Sequence, residues 1–324
     1  MLTSEKKQRI LLITDFKKSS FNQVLGISNL IKKKTDISVY HYKFSIDIFN
    51  FLPNSIIFFL LNIGFFKKKI NLKHDNFSII ISCGRISAPL NLFLKKRFSS
   101  KSIHIFNPYF KASSFDKIVL PNHDKPIGTN NLIRIDGSIV NDENNFISRK
   151  DLEYFKINIP LNSKKENICV LLGGNGKSSF FSKNDIYRLL EYLLNINTMK
   201  YKLFFISSRR TPEILKKIIY KNFHKNSYIW NQEEKNPYWY LLKKCDLFIV
   251  TSDSVSMTSE VISTKKSVFV FFVKKIKDKI LKFQENLILS GRTKKFEGKI
   301  YNWKFKIPKN TQKVVRIILK DLDL

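Results

Sequence analysis

The feature that most restricts what this chain can fold into is a rhythm. Short runs rich in Ile and Val alternate with longer segments whose apolar residues recur at helical spacing. This alternation marks βαβ units: a strand covered on both faces of a parallel sheet reads as an unbroken apolar run, and the crossover helix carries one apolar stripe. In the first half the runs fall at residues 9–14, 38–42, 77–82, 102–106 and 117–120, with helical segments at 22–33, 55–66 and 88–96. Residues 141–165 are polar and lose the rhythm. A second series follows, with strands at 168–172, 202–206, 227–229, 247–250 and 268–272 and helices at 184–195, 213–222, 238–243 and 255–263. Two such series predict an α/β chain of two Rossmann-like domains with parallel sheets facing a cleft. The expected divisions are 1–145, a connection at 146–165, and 166–324, with the C-terminal tail a candidate to pack back on the first domain. Ligands of such sheets bind beyond the carboxyl ends of the strands.

Composition narrows the class. With 43% hydrophobic residues a packed core is available, so global disorder is excluded despite 58 Lys+Arg against 26 Asp+Glu, a net charge of +32. Abundant Lys, Ile, Asn and Phe with few Gly and Pro is what AT-rich codons write, so much of the charge reads as lysine on solvated faces. The clusters Lys32-Lys33-Lys34, Lys67-Lys68-Lys69 and Lys95-Lys96-Arg97 are short and dispersed, which argues against dedicated nucleic-acid binding. An anionic membrane surface attracts the same charge and is the better-supported partner. Cys83, Cys169 and Cys245 are widely spaced without a CxxC pair, which fits a reducing cytoplasm with neither a disulfide framework nor a zinc site. The apolar run at 10–13 is too short for the core of a signal peptide, so secretion is not expected. The stretch 51–66, FLPNSIIFFLLNIGFF, is interrupted by Pro53, Asn54, Ser55 and Asn62 and falls short of the roughly 20 apolar residues that span a bilayer. It reads as a buried or interfacial helix whose flanking Lys67 to Lys69 suit a headgroup surface.

Three loops carry candidate chemistry. After the strand at 168–172 comes Gly173-Gly174-Asn175-Gly176-Lys177-Ser178-Ser179. Three glycines let backbone amides approach an anion, and Lys177 adds a cation, so the loop could cradle a phosphate. A tight strand-to-helix turn accounts for the same glycines, and Leu171 rules out a P-loop. The next strand ends in Ser207-Ser208-Arg209-Arg210-Thr211-Pro212. Adjacent arginines in a lysine-rich chain suit bidentate recognition of phosphate, Arg209 above all, although a surface or ion-pair role would also use them. The densest block, Leu247 to Glu260, runs from a buried strand into Ser252, Asp253, Ser254, Ser256 and Ser259 at a helix start, with Glu260 further in. Hydroxyls and amides at a helix N-terminus hold phosphates, and a carboxylate beyond them can accept the hydroxyls of a ribose. Capping by Asp253 or Ser254 needs only one such residue. Asn236-Pro237-Tyr238 opens a helix that could wall a nucleobase, and Phe283 to Asn286 with Gly291-Arg292 could close the same site. His123 in Leu120-Pro121-Asn122-His123-Asp124 could act as a general base or be an ordinary loop histidine.

The blocks GRISAPL (84–90), LPNHD (120–124), GGNGK (173–177), SSRRTP (207–212), NPY (236–238) and DLFIVTSDSVSMTSEVIS (246–263), in this order and spacing, resemble the ELM (elongated mitochondria) family. That family has members in alphaproteobacteria and plants. The resemblance implies a GT-B-like fold similar to nucleotide-sugar glycosyltransferases, with the nucleotide-sugar as substrate and neither a cofactor nor a metal. It also implies two alternative roles. One is a glycosyltransferase-like protein of envelope glycan or lipid metabolism, cytoplasmic and peripheral on the inner membrane, with a lipid-linked or sugar acceptor. The other is a non-catalytic membrane-associated adaptor, as for the plant member. Under the first role Ser252, Ser254 and Ser256 with Gly173, Gly174, Asn175, Lys177, Ser208 and Arg209 would hold the diphosphate beside Asp253. Glu260 would take the ribose, Asn236 or Tyr238 the base, and Asp15 or His123 would serve as base toward the acceptor. One departure concerns that last part: members tend to carry a Gly- and His-containing loop where this chain has Asp15-Phe16-Lys17-Lys18-Ser19-Ser20, although Asn22, Gln23 and Gly26 are kept.

Overall fold

A computed structural model describes residues 8–72, 74, 76–141 and 147–321. The chain divides into two compact units, residues 1–143 with 309–324, and residues 144–308. The first unit runs β1 (Arg9–Thr14), α1 (Lys18–Lys32), β2 (Ser38–Lys43), α2 (Asn54–Asn62), β3 (Ile79–Cys83), α3 (Ser87–Phe98), β4 (Lys101–Ile105), β5 (Lys117–Pro121) and β6 (Leu132–Ile135). Its strands pair in the order β2-β1-β3-β4-β5-β6, all parallel. Because alternate residues of a strand face opposite sides, the RILLIT run of β1 supplies both cores. Ile10 and Leu12 pack with Val24, Ile27 and Ile31 of α1, while Leu11 and Ile13 pack with Ile57 and Leu61 of α2 and Leu90 and Leu94 of α3.

The second unit follows with α4 (Arg149–Asn158), β7 (Glu166–Leu172), β8 (Ser179–Phe180), α5 (Lys183–Leu194), β9 (Tyr201–Ser207), α6 (Glu213–Phe223), β10 (Tyr228–Ile229) and α7 (Tyr238–Lys244). It continues through β11 (Leu247–Thr251), α8 (Val255–Ile262), β12 (Ser267–Phe271), β13 (Lys275–Ile276), α9 (Asp278–Leu289) and β14 (Lys294–Lys295). Its main sheet, β10-β9-β7-β11-β12-β14, is again all parallel. One face is covered by α5 and α6 through Ile186, Leu189, Leu193, Leu215 and Ile219. The other is covered by α4, α7, α8 and α9 through Phe155, Leu241, Val261, Ile262, Phe283 and Leu287. A last helix, α10 (Asn310–Asp321), returns to the first unit, where Val314, Val315 and Ile318 are fully buried beside Ile27 and Ile135.

The stretch expected as a connection, 146–165, differs from that expectation. It contains α4, started by Ser148 accepting from the Asp151 amide and anchored by buried Phe155 and Ile159 in the second unit. Two apolar anchors in a polar helix are enough once a sheet face is there to receive them. The stretch 51–66 forms only the nine-residue α2, held at its start by Pro53 and followed by Gly64 at φ 80°. Among the described residues no helix is long and apolar enough to cross a membrane.

Candidate functional site

In the second sheet β9 lies on one side of β7, whereas β11 and then β12 lie on the other. The crossovers from β7 and from β11 therefore leave in opposite directions, and the carboxyl ends of these two strands form the topological switch point where such sheets take ligands. Three predicted loops meet there. The Gly173 amide donates to Thr251 Oγ1 (2.8 Å), the Gly174 amide to Asp253 Oδ2 (3.0 Å), and Thr251 Oγ1 donates to Asp253 Oδ1 (2.6 Å). Thr211 ties in the loop after β9: its hydroxyl donates to the Gly173 carbonyl (2.6 Å) and accepts from the Ser208 amide (2.8 Å). Ser208 Oγ accepts in turn from the Arg210 amide (3.2 Å).

This lattice changes the meaning of the glycines. The Asn175 amide donates to the Arg210 carbonyl and the Gly176 amide to the Ser179 carbonyl, both at 2.9 Å, so all four amides from Gly173 to Gly176 are engaged within the protein. A Cβ on Gly173 would lie 2.0 Å from Asp253 Oδ1, and one on Gly174 would lie 2.0 Å from the Arg210 carbonyl oxygen. Glycine is required here because loops from three strands touch. Asp253 likewise faces inward. Its burial raises the carboxyl above the ordinary value, opposed by the Thr251 hydroxyl, the Gly174 amide and the Arg210 charge.

The groups turned outward at this end are different ones. Lys177, Arg209 and Arg210 are exposed, Ser254 and Ser256 half-buried. Ser254 caps α8, its Oγ accepting from the Met257 amide (3.3 Å), and the first turn of α8 holds no carboxylate. That turn leaves helix-terminal N–H groups and the positive end of the peptide dipoles facing the loops. Ser252 is buried, its Oγ accepting from the Val273 amide (3.1 Å) and its carbonyl from Gln284 Nε2 (3.0 Å). Gln284 also donates to Thr258 Oγ1 (3.1 Å), and its own Oε1 is buried without a hydrogen-bond partner. Further along α8, Glu260 Oε2 accepts from the Tyr238 hydroxyl at 2.5 Å. Burial and the adjacent Glu260 carboxylate push the Tyr238 phenol well above its ordinary range. Asn236 is exposed, and its Oδ1 accepts from the Tyr238 amide (2.9 Å), starting α7.

Glu285, expected beside this site, instead lines a separate cavity of about 570 Å³ with Arg188, Tyr192, Phe271 and Phe296. Thr211 and Thr251 were not singled out from the sequence. Their signal was position: each is a buried hydroxyl at or just past the end of a strand. Among the described residues no group of three or more His, Cys, Asp or Glu is placed to hold a metal ion.

In the first unit the equivalent switch point lies between β1 and β3. Asp15 stands there, accepting from the Lys17 amide (3.1 Å), ion-paired to Lys17 Nζ (3.1 Å), and close to Gly84, whose φ is 95°. His123 follows β5. β3 and β4 lie between β1 and β5, so the two candidate bases follow strands that are not neighbours in the sheet.

A family model described as mitochondrial fission ELM1 matches residues 21–322. The chain belongs to that family. It is 32% identical over 288 residues to an uncharacterized protein of Rickettsia prowazekii, covering 75% of this chain and 78% of the relative. It is 38% identical over 113 residues to the mitochondrial fission protein ELM1 of Arabidopsis thaliana, a match spanning 34% of this chain and 26% of the plant protein. Among solved structures the ELM1-family chain resembles the UDP-GlcNAc 2-epimerase of Methanocaldococcus jannaschii (TM-score 0.57, 12% identity, 97% of this chain and 100% of the other). It also resembles the UDP-GlcNAc 2-epimerase of Neisseria meningitidis bound to UDP-GlcNAc (TM-score 0.54, 14% identity, 98% and 92%). At such identities the likeness establishes the fold, a GT-B-like α/β architecture with two parallel sheets.

Proposed function

We propose that this ELM1-family chain binds a nucleoside-diphosphate sugar at the carboxyl ends of β7 and β11 and uses it as donor in a glycosyltransferase-like reaction of envelope glycan or lipid metabolism. The observation that carries the reading is the start of α8: a capped helix N-terminus without acidic residues, held at the switch point by the Thr251, Asp253 and Gly174 lattice and bordered by exposed Lys177, Arg209 and Arg210. Helix-terminal amides, the Ser256 hydroxyl and these cations suit a diphosphate, and would offset the charge that develops on a departing nucleotide. Gly173, Gly174 and Asn175 support this site from behind, with their amides already used. Glu260 would accept ribose hydroxyls in exchange for its Tyr238 partner, with Asn236 or Tyr238 bordering the base. Structural neighbours carrying UDP or UDP-GlcNAc support a uridine nucleotide. The acceptor side would fall to Asp15 or His123 of the first unit.

Thermal-shift and calorimetric titrations with UDP, ADP, GDP and CMP conjugates test the donor site. Binding of one nucleotide class by the wild type, weakened at least about tenfold in Glu260→Ala through loss of a charged hydrogen-bond acceptor, is the expected result. A wild type stabilised by none of them overturns the reading and leaves the adaptor role of the family as the alternative.

A further inference from the structure

One short segment of the first unit leaves five large apolar side chains exposed: Phe51 (78%), Ile56 (44%), Phe59 (60%), Ile63 (59%) and Phe65 (57%). Ile56, Phe59 and Ile63 follow at spacings of three and four, so they form one stripe along and just past α2, opposite the face that buries Asn54, Ile57 and Leu61. Past Gly64, at φ 80°, Phe65 is also more than half exposed, its ring 5.6 Å from that of Phe49 and 5.0 Å from that of Phe66. The α2 segment carries no charge, and its margins are basic. Lys67, Lys68 and Lys69 are exposed immediately after it. Lys96 and Lys111 hold their ammonium groups 5.6 and 4.9 Å from the ring of Phe58, at the border of the buried face. Beside Phe58 a cavity of about 440 Å³ is lined by Lys95, Lys96, Lys101 and Lys111, with Asp116, paired to Lys95 at 2.9 Å, as its one carboxylate.

We infer that this face docks on an anionic lipid bilayer, with Phe59, Ile63 and Phe65 entering the headgroup boundary and the surrounding lysines meeting lipid phosphates. An uncharged apolar strip between lysine clusters matches a membrane interface in both respects, apolar below and anionic above. At nine residues α2 is about 13.5 Å long, enough to lie in the interface and too short to cross the core. Aromatic rings favour that depth, and lysine stems extend from it toward the phosphates. The inference rests on the first unit alone, so nucleotide binding in the second can fail without affecting it.

Flotation of the full chain with vesicles tests it. Phosphatidylcholine vesicles containing phosphatidylglycerol recover the chain at low salt. Pure phosphatidylcholine vesicles or high salt lower recovery at least about tenfold. Joint Phe59→Ser and Ile63→Ser substitution weakens binding at least about tenfold while the melting temperature holds, because both side chains are largely solvent-exposed and belong to none of the core clusters. Ile157→Ser, which removes an 83% exposed apolar residue from the second unit, leaves binding unchanged. Three results would each overturn the inference: undiminished flotation of the double variant, an equal loss in Ile157→Ser, or failure of the wild type to float. Self-association through Phe59 and Ile63 without vesicle binding would assign the face to a second copy instead.

Discussion

The imidazole of His104 offers a sharp test of the packing in the first unit. His104 on β4 lies in register with Ser82 on β3, both fully buried, with Ser82 Oγ 2.7 Å from Nδ1. Asn91 donates to the same Ser82 oxygen (2.6 Å), while His104 Nε2 has no hydrogen-bond partner. Burial pushes the pKa of the ring from 6.5 down to about 3. A base with a depressed folded pKa contributes stability above its unfolded pKa, and this is lost as the pH falls from 6.5 toward 3. The full gap corresponds to roughly 5 kcal/mol, of which about 2 kcal/mol is lost between about pH 7 and pH 5. His104→Leu removes the titration and leaves Ser82 its Asn91 partner. Urea unfolding followed by circular dichroism should show the wild type losing about 2 kcal/mol more than the variant over that interval, roughly 0.7 M in midpoint for a slope near 3 kcal/mol/M. Trp230, Trp239 and Trp303 all lie in the second unit, so their fluorescence follows that unit separately. An identical pH dependence in both proteins would refute the assignment of a buried neutral histidine.

Two further outcomes follow from the packing. Gly174→Ala places a methyl 2.0 Å from the Arg210 carbonyl, a backbone atom that can move only with its loop; the second unit should lose about 3 kcal/mol or more, read from tryptophan-monitored unfolding. Truncation after Pro308 exposes the sites filled by Val314, Val315 and Ile318. At about 1.5–3 kcal/mol for each buried aliphatic side chain, this should unfold the first unit by hydrogen exchange while the second keeps its tryptophan signal.

The sheets were legible because their strands are the chain's Ile- and Val-rich runs, and β1 was bounded correctly at both ends. Elements with thinner signals were not read. The strand β6 is four residues with Arg134 inside it, β8 and β13 are two residues each, and α4 shows a single buried residue, Phe155, within its span. At the candidate site, the residues singled out at 173–178, 208–212 and 252–260 lie on loops that hydrogen-bond to one another. Which face each would present was not legible. Glycines that admit a phosphate also admit the backbone of another loop, and only tertiary contact shows that the amides of Gly173 and Gly174 are spent on Thr251 and Asp253. The Tyr238–Glu260 contact spans 22 positions and has no local signature.

The return of α10 to the first unit sets an order of events during synthesis. Asn310 donates to the carbonyl of Asp136, 174 positions earlier, so the first core cannot close until the entire second unit has been made. The second unit is a continuous segment and can fold while translation proceeds. Until α10 arrives, the incomplete first unit presents the bare aliphatic groove around Ile27 and Ile135 to solvent. The interval between those moments is when a nascent chain of this design is most exposed to chaperones and to aggregation.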